Sequence, residues 1–353
     1  MLKTVVNDPL DNDETTALVD VPQQSNRALR RVHAAAFDAA LHEIFLKQKL
    51  QLLDPISTES KETSVYAGRY HGEDVAVKVF VLAVDDLRDA ISAYGAFKVE
   101  CEKTMILSRS DPHILQVLEY GDAEVPPDMP QELREFFPLN LVPFMITERA
   151  AFGSLDRCCK KRKIDHGFTR LGLMEALAKA TDGIKTAHAH QVAHRDIKPQ
   201  NILIFGSDVG KIADFGIARW RSRIHRADTV MLTPRYSSPE QAFHALTGER
   251  EDRVGISGDI YSWAIMVYEL VTGRHPFDWA VKEVRDPRAA RRGILKAIAG
   301  NDRRGFLPTG DITFDSLIQR CTDDLRNRIS DIAVANRVLR QLIRRMRNDS
   351  KSP

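Results

Sequence analysis

The stretch that decides the fold is His194-Arg195-Asp196-Ile197-Lys198-Pro199-Gln200-Asn201, which is followed by the apolar residues Ile202-Leu203-Ile204 and then by Lys211-Ile212-Ala213-Asp214-Phe215-Gly216. Upstream lies Val75-Ala76-Val77-Lys78, and downstream lies Thr233-Pro234-Arg235-Tyr236-Ser237-Ser238-Pro239-Glu240. Each short motif arises often by chance in an ordinary turn or strand, so none is specific alone. Because all of them occur in one order, together they are specific.

Composition sets the wider limits. The chain has 353 residues, of which 43% are apolar and 28% charged, which is enough to build one two-lobed domain or two domains. Its formal charge of +2 does not indicate a nucleic-acid binder. The four cysteines form no repeated Cys-x-x-Cys pair, so we expect neither a zinc site nor disulfides, and a cytoplasmic location fits best. No apolar run is long enough to predict a membrane span.

The N-terminal part precedes any of these motifs. Residues 1–24 are acidic and lack periodicity, which predicts a disordered tail. Residues 25–53 predict an amphipathic helix, because apolar residues recur there at steps of three and four. The apolar face of this helix needs a partner, which is either the same domain or, through homodimerisation, a second copy. The residues of that face are Leu29, Val32, Ala36, Ala40, Leu41, Ile44 and Phe45.

The rest of the chain divides into a β-rich part at 54–150 and a helical part at 151–345, followed by a tail at 346–353. The β-rich part contains a predicted hairpin that turns at Gly72, and a predicted helix at 85–110. Two more strands are predicted at 114–120 and 141–149. Between them, residues 122–138 carry four prolines and several acids, which predicts a surface insertion. The predicted fold class is therefore α+β.

In its motifs the chain resembles the eukaryotic-type (Hanks-type) serine/threonine protein kinases, in the form common among bacteria. The resemblance covers about residues 54 to 345. It implies a bilobal fold, with a small β-rich lobe, a larger helical lobe and ATP with Mg²⁺ (or Mn²⁺) between them. It also implies transfer of the γ-phosphoryl group to serine or threonine hydroxyls of protein substrates. The alternatives are a pseudokinase scaffold and, ranked last, a small-molecule phosphotransferase on the same fold.

The resemblance assigns roles to the motif residues. Asp196 would orient the acceptor hydroxyl, and Lys198 would neutralise charge on the γ-phosphate and favour serine or threonine acceptors. Asn201 and Asp214 would supply the oxygen ligands that Mg²⁺ prefers. Lys78 would reach the α- and β-phosphates and pair with a glutamate of the 85–110 helix. Counting back from the turn at Asp111 favours Glu102 over Glu100 as that partner.

Further residues are assigned to the adenine pocket and to regulation. Val65 and Ala76 would cover the base and Leu203 would lie beneath it, with Thr147 as the gatekeeper and backbone groups of Glu148 to Ala150 as hydrogen-bonding partners. The segment from Thr233 would receive the substrate peptide. Thr229 is a predicted autophosphorylation site whose phosphate would pair with Arg195. Arg328 would form a buried structural pair with Glu240.

One part of the pattern is missing. The three glycines of the family's phosphate-covering loop are replaced by Thr58, Ser60 and Thr63, and Gly68 is the first glycine in the chain. Glycine there allows a close approach of backbone N–H groups to phosphate, so we expect weaker ATP binding. The hydroxyls of Ser60 and Thr63 are the candidates to donate hydrogen bonds instead. This gap is what keeps the pseudokinase alternative open.

Overall fold

The computed structural model describes residues 34–47, 49–57, 63–80, 87–134, 137–165, 167–215, 234–248, 255–282 and 284–349. A five-stranded antiparallel sheet, in the order β1-β2-β3-β5-β4, forms the small lobe. The predicted hairpin is confirmed: His71 and Gly72, between β2 and β3, both have positive φ, as a tight two-residue hairpin loop requires. The strands are β1 (Leu50–Ser57), β2 (Thr63–Tyr70), β3 (Glu73–Phe80), β4 (Val117–Glu124) and β5 (Leu141–Glu148).

The N-terminal helix α1 (Ala34–Lys47) packs on this lobe. It ends earlier than the sequence pattern predicts, and residues 50–53, which we had assigned to the helical extension, belong to β1. Phe37, Leu41, Ile44 and Phe45 are all buried within the same chain. Over the described residues, the apolar face of α1 thus packs within its own domain, which is the first of the two alternatives, whereas Leu29 and Val32 lie outside those residues.

The insertion between β4 and β5 is the partner of α1. We predicted a surface segment, but its apolar residues Val125, Met129, Leu133 and Phe137 are buried in one cluster with α1. These four residues are spaced four positions apart in the chain. The Phe137 ring stacks on the Phe37 ring, with the ring centroids 5.6 Å apart. A short helix, α3 (Gln131–Arg134), lies inside the insertion. The prolines and acids masked this periodicity in the sequence, and the segment is therefore a structural layer of the small lobe.

A long helix, α2 (Leu87–Ser110), crosses the small lobe, as predicted. The large lobe is built around α5 (Arg170–Ala189) and α7 (Ile256–Thr272), which are tied by a hydrogen bond from the buried Trp263 indole to Thr181 Oγ1 at 2.8 Å. A two-stranded sheet of β6 (Ile202–Ile204) and β7 (Gly210–Ile212) lies in the chain between the motif at residues 194–201 and Asp214. The remaining elements are α4 (Leu155–Asp165), α6 (Pro239–Thr247), α8 (Pro287–Ala299), α9 (Ile312–Cys321) and α10 (Ile332–Asp349).

The predicted α+β class with a β-rich small lobe and a helical large lobe is confirmed. Helix α10 continues to Asp349, past the predicted boundary at residue 345. The predicted tail at 1–24 lies outside the described residues. The four cysteines, all of which lie in the described ranges, form no disulfide. In the part of the chain that the structure describes, no helix is long and apolar enough to cross a membrane.

Candidate active site

One face of the small-lobe sheet carries four of the predicted nucleotide-binding residues. Val65 of β2 lies opposite Lys78 of β3, and Ala76 of β3 lies opposite Thr147 of β5. Residues directly opposite in antiparallel strands share a face, and so do residues two apart in one strand. Val65, Ala76, Lys78 and Thr147 therefore share that face. The Thr147 hydroxyl is buried and donates to the backbone carbonyls of Ala76 at 3.5 Å and Glu148 at 3.2 Å.

The segment after β5 connects this face to the large lobe. The Glu148 carboxylate accepts from Lys211 Nζ of β7 at 2.6 and 2.7 Å and from the backbone N–H of Gln116 at 2.8 Å. Ala150 follows and is half-buried. Leu203 of β6 forms a bridge with Ser154, so it lies beside the same connecting segment. The predicted floor of the adenine pocket thus sits next to its predicted hinge.

The catalytic loop brings Asp196, Lys198 and Asn201 together. Lys198 Nζ donates to Asp196 Oδ2 at 2.7 Å. Asn201 Nδ2 donates to the Asp196 carbonyl at 2.7 Å and to Asp196 Oδ2 at 3.2 Å. These bonds fix the orientation of the Asp196 carboxylate, which stays partly exposed. A carboxylate held in this way can accept a hydrogen bond from an incoming hydroxyl.

The loop rests on Asp259, the first-turn acid of α7. Its carboxylate is 1% exposed and accepts from the backbone N–H groups of His194 at 2.7 Å and Arg195 at 2.6 Å, and pairs with His188 Nε2 at 2.8 Å. Arg195 has a φ of +68°, a conformation that costs a residue with a side chain free energy. The buried carboxylate holds this backbone in place. The sequence analysis did not predict this positioning role of Asp259.

His194 joins the catalytic loop to the second motif. Its Nε2 lies 2.7 Å from the carbonyl oxygen of Ala213, and its ring packs on Phe215 with centroids 4.8 Å apart. Asp214, between Ala213 and Phe215, has a φ of +65°, so the backbone turns sharply there. His194 contacts the residue on either side of this turn, and these contacts fix the position of Asp214 relative to Asp196.

Lys78 reaches across the cleft to Asp214. Lys78 Nζ lies 2.7 Å from Asp214 Oδ1, and the lysine side chain is only 9% exposed. Burial alone would raise the pKa of Asp214, but the charge and hydrogen bond of Lys78 outweigh it, so the pKa lies below its ordinary value. Asp214 is therefore an anion in this site, joining the two lobes through Lys78.

The predicted pair between Lys78 and Glu102 is not formed in this structure. Glu102 is exposed on α2, whereas the preceding residue, Cys101, is 2% exposed and faces the sheet. Cys101 Sγ lies 3.9 Å from Met145 Sδ, and Met145 is the strand partner of Lys78. Burial raises the pKa of the Cys101 thiol, so it is neutral there. The residue of α2 that packs on the sheet next to the strand partner of Lys78 is thus a thiol rather than a carboxylate.

The segment that follows Thr233 is anchored to the catalytic loop. Ser238 caps α6 in a reciprocal capping box with Gln241. Gln241 Nε2 also donates to the Arg195 carbonyl at 2.9 Å. The Tyr236 hydroxyl donates to Glu269 at 2.5 Å. These bonds would hold a peptide that lies on this segment in a fixed position relative to Asp196.

The predicted pair between Arg328 and Glu240 is confirmed. Arg328 contacts both carboxylate oxygens, at 2.7 and 3.2 Å, and its side chain is fully buried. Burial opposes ionisation of Glu240, but the hydrogen bonds from Arg328 prevail and the pKa of Glu240 lies below its ordinary value. The pair fixes the first turn of α6 to the large lobe.

Three predicted site residues, Ser60, Thr229 and Thr233, lie outside the described residues. Thr63 is the first residue of β2, opposite Phe80, and its side chain is 6% exposed. It therefore belongs to the strand rather than to a loop over phosphate.

The donor set fits a magnesium ion. The amide nitrogen of Asn201 is engaged by Asp196, which leaves its oxygen for a metal, and Asp214 supplies an ionised carboxylate. Within the described ranges, no group of three or more His, Cys, Asp or Glu side chains could hold a metal by itself. Mg²⁺ is commonly held by one or two carboxylates together with substrate phosphates, which matches this sparse set.

Comparison with known proteins agrees with this geometry. A family model described as the protein kinase domain matches residues 64–341. The chain belongs to the protein kinase family. Over 267 residues it is 31% identical to the serine/threonine-protein kinase PknB of Mycobacterium tuberculosis (strain ATCC 25177 / H37Ra), a match that covers 69% of this chain and 38% of that protein.

Two other relatives also carry the name PknB. Identity is 33% over 211 residues with PknB of Mycolicibacterium smegmatis, covering 58% of the chain and 29% of the relative. It is 36% over 107 residues with the probable serine/threonine-protein kinase PknB of Lactococcus lactis subsp. lactis, covering 30% and 16%. The chain thus spans well under half the length of these relatives.

Proposed function

We propose that this protein is a serine/threonine kinase that transfers the γ-phosphoryl group of Mg-ATP to hydroxyls of protein substrates. The observation that carries the proposal is the arrangement of Asp196, Lys198 and Asn201 on the buried Asp259. In phosphoryl transfer, catalysis is almost entirely positioning and charge stabilisation, and this loop supplies both. The anchored segment at Pro234–Tyr236 favours a polypeptide acceptor over a small molecule.

Each residue has one task in this proposal. Asp196 accepts the hydrogen bond of the acceptor hydroxyl and aligns its oxygen with the γ-phosphorus. Lys198 stands beside it and neutralises charge that develops on the transferred group. Asn201 and Asp214 would hold Mg²⁺, which when bound neutralises the phosphate oxygens. Val65, Ala76, Thr147 and Leu203 line the adenine side, with Glu148 and Ala150 as its backbone partners.

An in vitro assay tests the proposal directly. Purified protein with labelled ATP, Mg²⁺ and a generic protein acceptor is expected to give labelled phosphoserine or phosphothreonine. Lys78→Ala is expected to lower the rate by about 10²–10³-fold, because it removes a cation that faces the phosphates. No transfer by the wild type, or an unchanged rate in Lys78→Ala, would refute the proposal in favour of the pseudokinase scaffold. That second candidate is favoured only by the absence of glycine at positions 58, 60 and 63.

We also propose that Glu102 replaces Cys101 at the sheet when the kinase is competent for transfer. Successive residues of an α-helix are 100° apart, so a rotation of α2 by one residue would bring Glu102 to the position that Cys101 now occupies. The same rotation would turn the exposed side chains of Ile91, Val99 and Ile106, which lie near Glu102 around the helix, toward the protein. Burial of these apolar side chains would favour the rotated state.

A cluster of three residues opposes that rotation. The Tyr94 hydroxyl donates to Asp122 Oδ2, and Lys98 Nζ lies 3.4 Å from the same oxygen. Lys98 also sits over the Tyr94 ring at 4.7 Å. Tyr94 and Lys98 are one turn apart on α2, and Asp122 belongs to β4, so the cluster fastens the helix to the sheet in its present orientation.

Asp122→Asn is expected to raise the rate of phosphoryl transfer about fivefold. The substitution removes the charge that holds Lys98, and a partly exposed pair is worth up to about 1 kcal/mol. Initial rates at saturating ATP would measure the effect, with Asp128→Asn, an exposed acid of the same insertion, as the matched control. Glu102→Gln should lower the rate about tenfold although Glu102 is exposed in this structure. Unchanged rates in both Asp122→Asn and Glu102→Gln would contradict the rotation.

We also propose that Thr229 is autophosphorylated and that its phosphate pairs with Arg195. The hydroxyl of Ser60 is a proposed phosphate contact, whereas Thr63 is buried in β2. A cytoplasmic location is supported by the four cysteines, which form no disulfide.

A further inference from the structure

A cavity of about 190 Å³ lies on the large lobe, between α5, α10 and the turn that joins β6 to β7. Of its eight lining residues, six are charged and two, Ala178 and Ile343, are apolar. The volume exceeds the roughly 30 Å³ that one water molecule occupies in the liquid. The charged lining residues are Lys179, Arg340, Arg344 and Arg347, together with Glu175 and Asp208.

Three of the four cations are matched by acids. Lys179 Nζ lies 2.7 Å from Asp208 Oδ2, Arg340 pairs with Asp182, and Arg347 pairs with Glu175. The hydrogen bond from Lys179 lowers the pKa of Asp208, and the charge of Arg347 contributes to the same shift. Both acids on the wall, Asp208 and Glu175, are therefore already engaged by cations of the same wall.

Arg344 is the cation that these pairs leave over. Among the described residues, its guanidinium has no ion-pair or hydrogen-bonding partner, and its side chain is exposed toward the cavity. It stands one turn from both Arg340 and Arg347 on one face of α10, where like charges at such spacing destabilise a helix. Two ion pairs, Arg340 with Asp182 and Arg347 with Glu175, dock α10 on α5. Arg344, between these two arginines in the same row, costs stability unless an anion binds beside it.

We propose that this cavity binds phosphate, either as the free ion or as a phosphomonoester. Once Asp182, the partner of Arg340, is included, four cations face three acids, so the positive charge of Arg344 is left for an anion. Arg344 would make the contact that no acid of the described chain makes, since guanidinium groups bind phosphate through paired N–H donors. The proposal does not depend on the kinase activity.

Phosphate titration of the whole protein tests the site. Sodium phosphate, compared with sodium chloride at the same ionic strength, is expected to raise the Tm of the wild type. Arg344→Gln is expected to weaken phosphate binding at least about tenfold by calorimetry, as the loss of a charged hydrogen bond implies. Arg337→Gln is the matched control: Arg337 is an exposed arginine of the same helix that does not line the cavity. Arg344→Lys should restore part of the affinity.

The comparison of variants separates this cavity from the nucleotide cleft, which also attracts phosphate. Equal phosphate affinity in Arg344→Gln and Arg337→Gln, or no phosphate binding by the wild type, would overturn the proposal. A phosphoserine peptide provides the second arm. Binding of the peptide that depends on Arg344 would identify a phosphoprotein as the source of the group, whereas binding of inorganic phosphate alone would identify the free ion.

Discussion

Asp196→Asn is expected to lower kcat by about 10²–10⁴-fold, with little change in the affinity for ATP. Loss of a positioned proton acceptor costs a factor of this size in enzymes. The asparagine keeps the shape of the side chain, so Asn201 can still donate to the main-chain carbonyl of residue 196. What is lost is the anionic oxygen that orients the acceptor hydroxyl and offsets Lys198. The measurement is the initial rate of transfer at saturating ATP, with nucleotide affinity determined separately.

A matched control exists in the same lobe. Asp302 pairs with Arg304 at 2.7 Å, so it is also a carboxylate bound to a cation two residues later, as Asp196 is to Lys198. Asp302→Asn removes an equivalent surface pair far from the motifs and should leave kcat unchanged. If Asp196→Asn retained more than a tenth of the wild-type kcat, Asp196 would not orient the acceptor, and the proposed mechanism would be wrong.

The parts of the site that the sequence predicted are those in which one short segment carries its own chemistry. Asp196, Lys198 and Asn201 contact one another within a single loop, so their order in the chain already implies their proximity. The hairpin at Gly72 and the pair of Arg328 with Glu240 also follow from motifs. In each case the contact depends on a local turn or on a spacing that the family shares.

The parts that the sequence missed depend on which way an element faces. Glu102 and Cys101 are neighbours in the chain, and a rotation of one residue decides which of them lies beside Met145. That rotation is set by tertiary contacts such as Asp122 with Lys98, which no local pattern encodes. The insertion was misjudged for a similar reason, because prolines and acids obscured a buried apolar repeat of four residues. The role of Asp259 was missed because its three donors, at His188, His194 and Arg195, lie far from it in the chain.

Glu240→Gln is expected to lower the free energy of unfolding by about 3–5 kcal/mol, because it leaves the fully buried guanidinium of Arg328 without a counter-charge. The remaining partners of Arg328 are neutral: the carbonyl oxygens of Asp323 and Ser257, each at 3.1 Å, and the Tyr261 ring. Denaturant unfolding measures the change. Glu43→Gln is the control, since its pair with Lys47 is exposed and should contribute less than about 1 kcal/mol.

The effect of Glu240→Gln should also depend on pH in a defined direction. The folded pKa of Glu240 lies below its ordinary value of 4.5, so the unfolded chain takes up the proton first. The stabilisation is therefore fully present above pH 4.5 and is lost as the pH falls through the folded pKa. The difference in stability between wild type and Glu240→Gln should shrink over that acidic range, whereas a difference that stayed constant would mean that the charge of Glu240 is not its source.

A double substitution separates the cost of a broken pair from the worth of the pair itself. Replacing both partners with apolar residues of similar size is often neutral, because no buried charge remains. Glu240→Leu combined with Arg328→Met should therefore be more stable than Glu240→Leu alone, although the carbonyls of Asp323 and Ser257 lose a donor. If the loss of stability in the double variant equalled the sum of the losses in the two single variants, the two side chains would act independently. Glu240 would then not fasten α6 to the large lobe through Arg328.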